Sequence, residues 1–212
     1  MTKARATRKP YASRLPPEER REQLLAAAQT IALDRGFHAV TIDGVAKACG
    51  VTRPVVYGTF ADRTALLNAM VDRAERRVLG ELATVFPAVP GPGDELDPDE
   101  LLVVGLTAYL TSIASDPPTW RVILLPPEGA PPEMVGRVDA QRQVVLEHLT
   151  GLLEWGLERR GGPALDVELF ARAVVALAEG AGRLVLEDPE RWTVPAFAAF
   201  ARTTLSALRP NR

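Results

Sequence analysis

The stretch GVTRPVVYGTF, residues 50–60, sets an arginine and a tyrosine four positions apart at the start of a short helical segment. On a helix Arg53 and Tyr57 share one face. A guanidinium fork and a phenolic hydroxyl are donors to anionic and acceptor oxygens. Downstream of a basic arm, that pair suits docking in a DNA major groove. Elsewhere the chemistry-bearing types are scattered. His38 and His148 stand alone, and Cys49 is the single cysteine. No metal-ligand spacing arises from them. No G-x-S-x-G, P-loop or H-E-x-x-H occurs, and Gly91-Pro92-Gly93 follows no strand. The expectation is no enzyme, no metal and no cofactor, since a helical enzyme would need a convergent polar site.

The elements that position Arg53 and Tyr57 follow from local signals. Pro16-Pro17 opens a helix, Glu18, Glu19 and Glu22 suit its positive end, and Gly36 stops it. Thr41 is placed to cap a short second helix through Cys49, and Thr52 a third over about 53–59. Gly50 can take the positive φ of the turn between them. Ala46 is small where the two must cross, and Val51, Val56 and Phe60 are apolar anchors. Two short helices joined at a glycine describe a helix-turn-helix. Asp62 caps a long fourth helix whose apolar stripe runs from Leu66 to Leu82. Pro54 is tolerable in a first turn, whereas Gly58, inside the third helix, costs about 1 kcal/mol of propensity.

Beyond it, FPAVPGPGDELDP (86–98) reads as a connection. Helical patterning resumes at about 99–115, after Pro117-Pro118, and at about 133–160, 166–187 and 194–208. LPPEGAPP (125–132) reads as a loop. With no convincing strand, the fold expected is all-α, with about nine helices.

The 212 residues allow one large domain or two small ones. Hydrophobic residues at 47% and charged ones at 25% are ordinary globular usage. One cysteine permits no internal disulfide, and no apolar run reaches the ~18 residues of a membrane span. The basic start MTKARATRKPYASR lacks the apolar segment of a secretory signal, so a cytoplasmic location is expected. Residues 1–77 carry 14 basic against 8 acidic groups, a net of +6, and the remainder carries 11 against 19, a net of −8. A basic segment joined to an acidic one implies a polyanion partner for the first and a separate task for the second.

TIDGVAKACGVTRPVVYGTFADRTALL, residues 41–67, resembles the DNA-binding signature of the TetR-type bacterial transcriptional regulators. It has the Thr-Ile start, the Ala-x3-Gly turn, the Val-Thr-x3-apolar-Tyr-x2-Phe recognition helix and a cation three positions on. The resemblance extends over about residues 20–67. It implies a homodimer on double-stranded operator DNA, with a helical C-terminal domain that binds a small effector and releases DNA. By the same resemblance, Thr41 and Thr52 would cap and reach phosphates, Arg53 would approach guanine and Val55 a thymine methyl. Tyr57 and Arg63 would meet phosphates. Val55 facing inward, Tyr57 packing and plain caps at Thr41 and Thr52 are the alternatives. The basic residues of the arm either track the minor groove or are solvated chain. Gly58 and Thr59 depart from the family, where a larger polar residue and His are common.

The implied organisation is a flexible basic arm (1–15), a helix-turn-helix domain (16–62) and a ligand-binding and dimerisation domain (63–212). The last two helices are rich in Ala, Gly, Leu and Phe. The resemblance implies a dimeric bundle here, and that composition agrees with it, through Phe170, Val174, Leu177, Ala181, Leu184, Phe197, Phe200, Ala201 and Leu205; a purely intramolecular core is the alternative. Leu106, Tyr109, Trp120, Met134, His148, Leu152 and Trp155 either line an effector pocket or belong to the core. Their mostly apolar inventory suits a hydrophobic or aromatic effector. The function expected is a sequence-specific, ligand-responsive repressor. The alternative is a helical protein-interaction module on the same scaffold without operator binding.

Overall fold

A computed structural model describes residues 15–85, 90, 95–130, 132–160 and 165–207. These form nine α-helices and one 3-10 turn, with no strand among the described residues. The helices are α1 (Pro17–Arg35), α2 (Ile42–Cys49), α3 (Arg53–Tyr57), α4 (Arg63–Val85) and α5 (Pro98–Ser115). They continue with α6 (Pro117–Leu124), α7 (Pro132–Arg160), α8 (Val167–Glu187) and α9 (Val194–Ala207). The all-α architecture therefore stands as the sequence implies. The basic arm lies outside the described residues, as does most of the 86–98 connection. No helix among the described residues is long and apolar enough to cross a membrane.

Caps set most boundaries. Thr41 Oγ1 accepts from the Gly44 amide at 3.0 Å and Asp62 Oδ1 from the Ala65 amide at 2.8 Å. Asp97 and Asp166 cap α5 and α8 through the amides of Asp99 and Leu169, at 2.9 and 3.0 Å. Gly50 ends α2 at φ 66°. The amides of Gly50 and Val51 return to the Lys47 and Ala46 carbonyls at 3.2 and 2.9 Å, satisfying orphan acceptors of the helix end.

The recognition helix is shorter than 53–59. It closes at Tyr57, and Gly58 and Thr59 form the turn that follows. Gly58 has φ −66°, ordinary right-handed backbone, so no positive φ requires a glycine. Its helix-interior penalty does not arise, because it stands at the helix end.

Three apolar clusters follow the chain. The first holds Leu24, Leu25, Ala28 and Ile31 of α1 and Val45 and Ala46 of α2. Val56, Phe60 and the Leu66–Ala74 part of α4 complete it, together with Val122 of α6. The second gathers Val78, Leu110, Ile113, Trp120, Leu124, Ala181, Val185 and Leu186. The third joins Leu146, Leu149, Leu152 and Leu153 of α7 to Ala171 of α8. Helices α4 and α6 each serve both the first and second clusters. They tie the helix-turn-helix head to the body.

Candidate nucleic-acid interface

Helix α3 is held from below by Val56, which is fully buried, and Phe60, at its foot. That anchorage turns the opposite side outward. Thr41, Thr52 and Arg53 are exposed, Val55 is 39% exposed and Tyr57 54%. Val55 and Tyr57 thus present apolar and hydroxyl groups to solvent. Burial this low makes inward packing a poor account of them. The geometry suits a helix N-terminus carrying a guanidinium and a methyl-bearing edge into a groove.

Three details were not legible in the sequence. Arg53 Nε donates to Asp43 Oδ1 at 2.7 Å, joining the starts of α3 and α2. The guanidinium holds the Asp43 carboxyl below its usual range, first by that hydrogen bond and then by its charge. Arg21 of α1 lies over the Phe60 ring, 4.8 Å from its centroid. Arg73 of α4 donates to Glu22 Oε2 at 2.6 Å and Gln29 Oε1 at 2.8 Å, fixing α4 to α1. Each pair is far apart in sequence, so no local spacing announces it.

Two of the six implied DNA residues have a different local role from the one expected. Thr52 occupies the N-cap of α3, but its side chain makes no capping bond. Pro54 lacks the amide it would have used, and the Val55 amide bonds the Thr52 carbonyl at 3.0 Å. Its hydroxyl is left to solvent. Arg63 folds back onto the head. Its Nε donates to the Val40 carbonyl at 2.6 Å and Nη2 to the Phe37 carbonyl at 2.7 Å. Two of its five donors therefore close the 3-10 turn Phe37–Ala39 onto α4.

Cys49 is half-buried, and its Sγ lies 3.6 Å from the Gln23 carbonyl. Burial pushes the thiol up, which disfavours the reactive thiolate.

The residues implied for an effector pocket are divided between the second and third clusters. Trp120 is buried at 2% exposure in the second cluster. Its Nε1 donates to Ser112 Oγ at 3.1 Å and lies 3.3 Å from Glu81 Oε2. Tyr109 meets its ring edge-on at 5.3 Å, and Leu106 packs on the same cluster. Burial drives the Tyr109 hydroxyl upward, so it stays protonated. Leu152 belongs to the third cluster, and Trp155 carries Arg159 over its ring at 5.6 Å. His148 is half-buried on α7, and Met134 lies outside the described side chains. Gly182 is packed tight, since a Cβ there would sit 2.7 Å from Ile113 Cδ1. A groove of about 660 Å³ lies between α7 and α8, lined by Leu146, Thr150, Glu154, Val167 and Arg172 among others.

The residues expected at a dimer interface are divided between core and surface. Ala181 and Phe197 join the second cluster, and Phe170 and Val174 pack against the third. Leu184, Ala201 and Leu205 are half-buried. Leu177 and Phe200 stand out at 75% and 69% exposure, and Leu169 at 66%. Leu169, Ala173, Ala176 and Leu177 fall on one helical face.

A helix-turn-helix with an exposed arginine, valine and tyrosine on its second helix defines a DNA-binding head on a helical body. The family model "Bacterial regulatory proteins, tetR family" matches residues 24–70. The HTH-type transcriptional activator FasR of Mycolicibacterium smegmatis is 27% identical over 164 residues, 76% of this chain and 72% of that protein. The HTH-type transcriptional repressor BepR of Brucella suis is 27% identical over 172 residues, covering 76% and 78%. A TetR-like transcriptional regulator from Rhodococcus sp. RHA1 superposes with a TM-score of 0.68 at 28% identity, covering 90% of this chain and 95% of that one. Residues 24–70 thus match the DNA-binding domain of the TetR-type bacterial regulators, and the chain is a DNA-binding transcriptional regulator.

Proposed function

We propose that this regulator acts as a homodimeric, ligand-responsive repressor of bacterial transcription. The observation that carries the DNA-reading part is the exposed edge Arg53–Val55–Tyr57 on a helix whose other side is anchored by Val56 and Phe60. Arg53 and Val55 read base edges, and Thr41, Thr52 and Tyr57 reach phosphates. Arg63 stands close to the same backbone with donor capacity left over from its two carbonyl bonds. Residues 1–15 add basic charge to a head spanning 16–62, and residues 63–212 form the body. The burial of Leu66–Ala74 against the head supports α4 as the lever between the two.

The dimer rests on the exposed apolar stripe Leu169, Ala173, Ala176 and Leu177 of α8, with Phe200 of α9 also exposed. Small residues along the stripe permit close helix approach. A two-fold pair sets recognition helices in successive major grooves, with half-site centres about 34 Å apart or somewhat more. The effector is apolar or aromatic and is taken up in the body, where Leu106, Tyr109 and Trp120 supply apolar surface. A cytoplasmic setting follows from these roles. A mobility-shift assay on the gene's own upstream DNA, with and without hydrophobic effectors, tests the proposal. Retardation that weakens with salt and is relieved by effector is expected; no retardation at low salt by folded dimer removes it.

A further inference from the structure

Arg53 is the first residue of α3 and Asp43 the second of α2, and their side chains are 63% and 67% exposed. An arginine this exposed would ordinarily sample many rotamers. Here Nε is taken by Asp43 Oδ1 at 2.7 Å, and no other described partner binds the guanidinium. A carboxylate on Nε leaves the Nη1 and Nη2 edge open. That edge is the two-donor fork that meets O6 and N7 of guanine.

We propose that Asp43 is a specificity-determining positioning residue, fixing Arg53 by Nε so that its two Nη donors face a guanine in the major groove. The inference rests on the DNA-reading role given to Arg53 above. A carboxylate beside the groove also repels phosphates. It therefore lowers affinity for every sequence while the arginine it holds restores affinity only where guanine stands. That repulsion is common to all sequences, so discrimination comes from the arginine it holds in place. An exposed aspartate is ionised through the neutral range, and the guanidinium beside it lowers the Asp43 carboxyl further.

The test measures affinity of the full-length protein for its selected operator and for a scrambled duplex, at matched salt, in a double-mutant cycle. Asp43→Asn keeps the shape and an acceptor but loses the charge. It is expected to raise affinity for scrambled DNA and to lower the operator-to-scrambled ratio by about tenfold, the scale of one bidentate base contact. In the Arg53→Ala background the same substitution is expected to leave that ratio unchanged. A ratio preserved within about twofold in Asp43→Asn overturns the assignment. So does an equal loss of ratio in the Arg53→Ala background. In either case the wild-type protein still selects its operator, and the DNA-reading role survives. A wild-type protein that selects no sequence removes that role and this assignment together. Asp43→Ala, read alongside thermal melting, separates lost positioning from a damaged α2.

Discussion

The amide of Phe37 donates to the carbonyl of Glu128 at 2.9 Å. One bond thus joins the turn that feeds α2 to the loop that leaves α6. Gly36 makes it possible. Its backbone, φ 82° and ψ 164°, lies in a region nearly reserved for glycine, and a Cβ would come within 3.0 Å of the same carbonyl. On its other side, the Phe37 carbonyl takes Nη2 of Arg63. The head is therefore hung from the body by main-chain atoms that side-chain identity alone does not reveal.

Gly36→Ala is expected to cost about 1 to 3 kcal/mol, from strain and the lost approach. Gly58→Ala is expected to be neutral or to stabilise by up to about 1 kcal/mol. Its φ is −66°, and a Cβ there meets the Pro54 and Val55 carbonyls at ordinary distances of 3.4 and 3.5 Å. Urea unfolding of the two variants should separate them in opposite directions. Equal losses would contradict the account of either glycine.

Arg63→Ala removes two charge-assisted bonds to the carbonyls of Phe37 and Val40. A loss of about 1 to 3 kcal/mol in the absence of DNA is expected. Arg63→Lys should recover only part of it, since an ammonium lacks the fork that spans two carbonyls. If melting were unaffected and only DNA affinity fell, Arg63 would be a phosphate contact alone.

Arg137 of α7 binds Asp72 at 2.5 Å and also Glu75, whose side chain is nearly buried on α4. Burial pushes the Glu75 carboxyl up, against the pull of the Arg137 guanidinium. Arg137→Ala leaves burial and Asp72 to raise it further. A carboxyl raised above its unfolded value stabilises the fold at acid pH and loses that contribution as pH rises through the folded pKa. The gap between wild type and Arg137→Ala should therefore be small near pH ~4 and reach about 1 to 3 kcal/mol at neutral pH. Chemical denaturation at a series of pH values reads it, and a gap that widens toward acid would reverse the sign and refute the argument.

Leu177→Glu places a charge in the centre of the exposed α8 stripe while touching no core cluster. Sedimentation should show the dimer dissociation constant raised by at least roughly tenfold, with helix content unchanged. Ala173→Glu should act alike. Glutamate at Arg172, already exposed and charged, should act little. A dimer indifferent to both Leu177→Glu and Ala173→Glu would place the interface on another face.

The head was legible because its signals are local. Thr41, Gly50 and Asp62 each act within a few residues, so caps and turn could be read from spacing. Tertiary partners decided the rest. Thr52 lost its capping bond to a proline two positions on, and Arg63 found carbonyls 23 and 26 residues away. The Asp43–Arg53 pair spans the turn itself, and neither residue alone marks it. On α8 the apolar period was evident, but leucine, valine and alanine occupy both sides of the helix, so its phase was not. Helix α8 packs inward through Ala171, Ala181 and Val185, which turns Leu169 and Leu177 to solvent. The edge-on contact of Tyr109 with Trp120 in the second cluster is likewise a tertiary pairing that spacing does not announce.

Selection of bound duplexes from a random DNA pool, run in parallel with wild type and Arg53→Ala, shows whether α3 reads bases through Arg53. Wild type is expected to enrich two inverted half-sites, each holding a guanine whose preference disappears in Arg53→Ala while flanking positions persist. Enrichment of no sequence, or an identical guanine preference in both proteins, would contradict base reading through the exposed edge of α3.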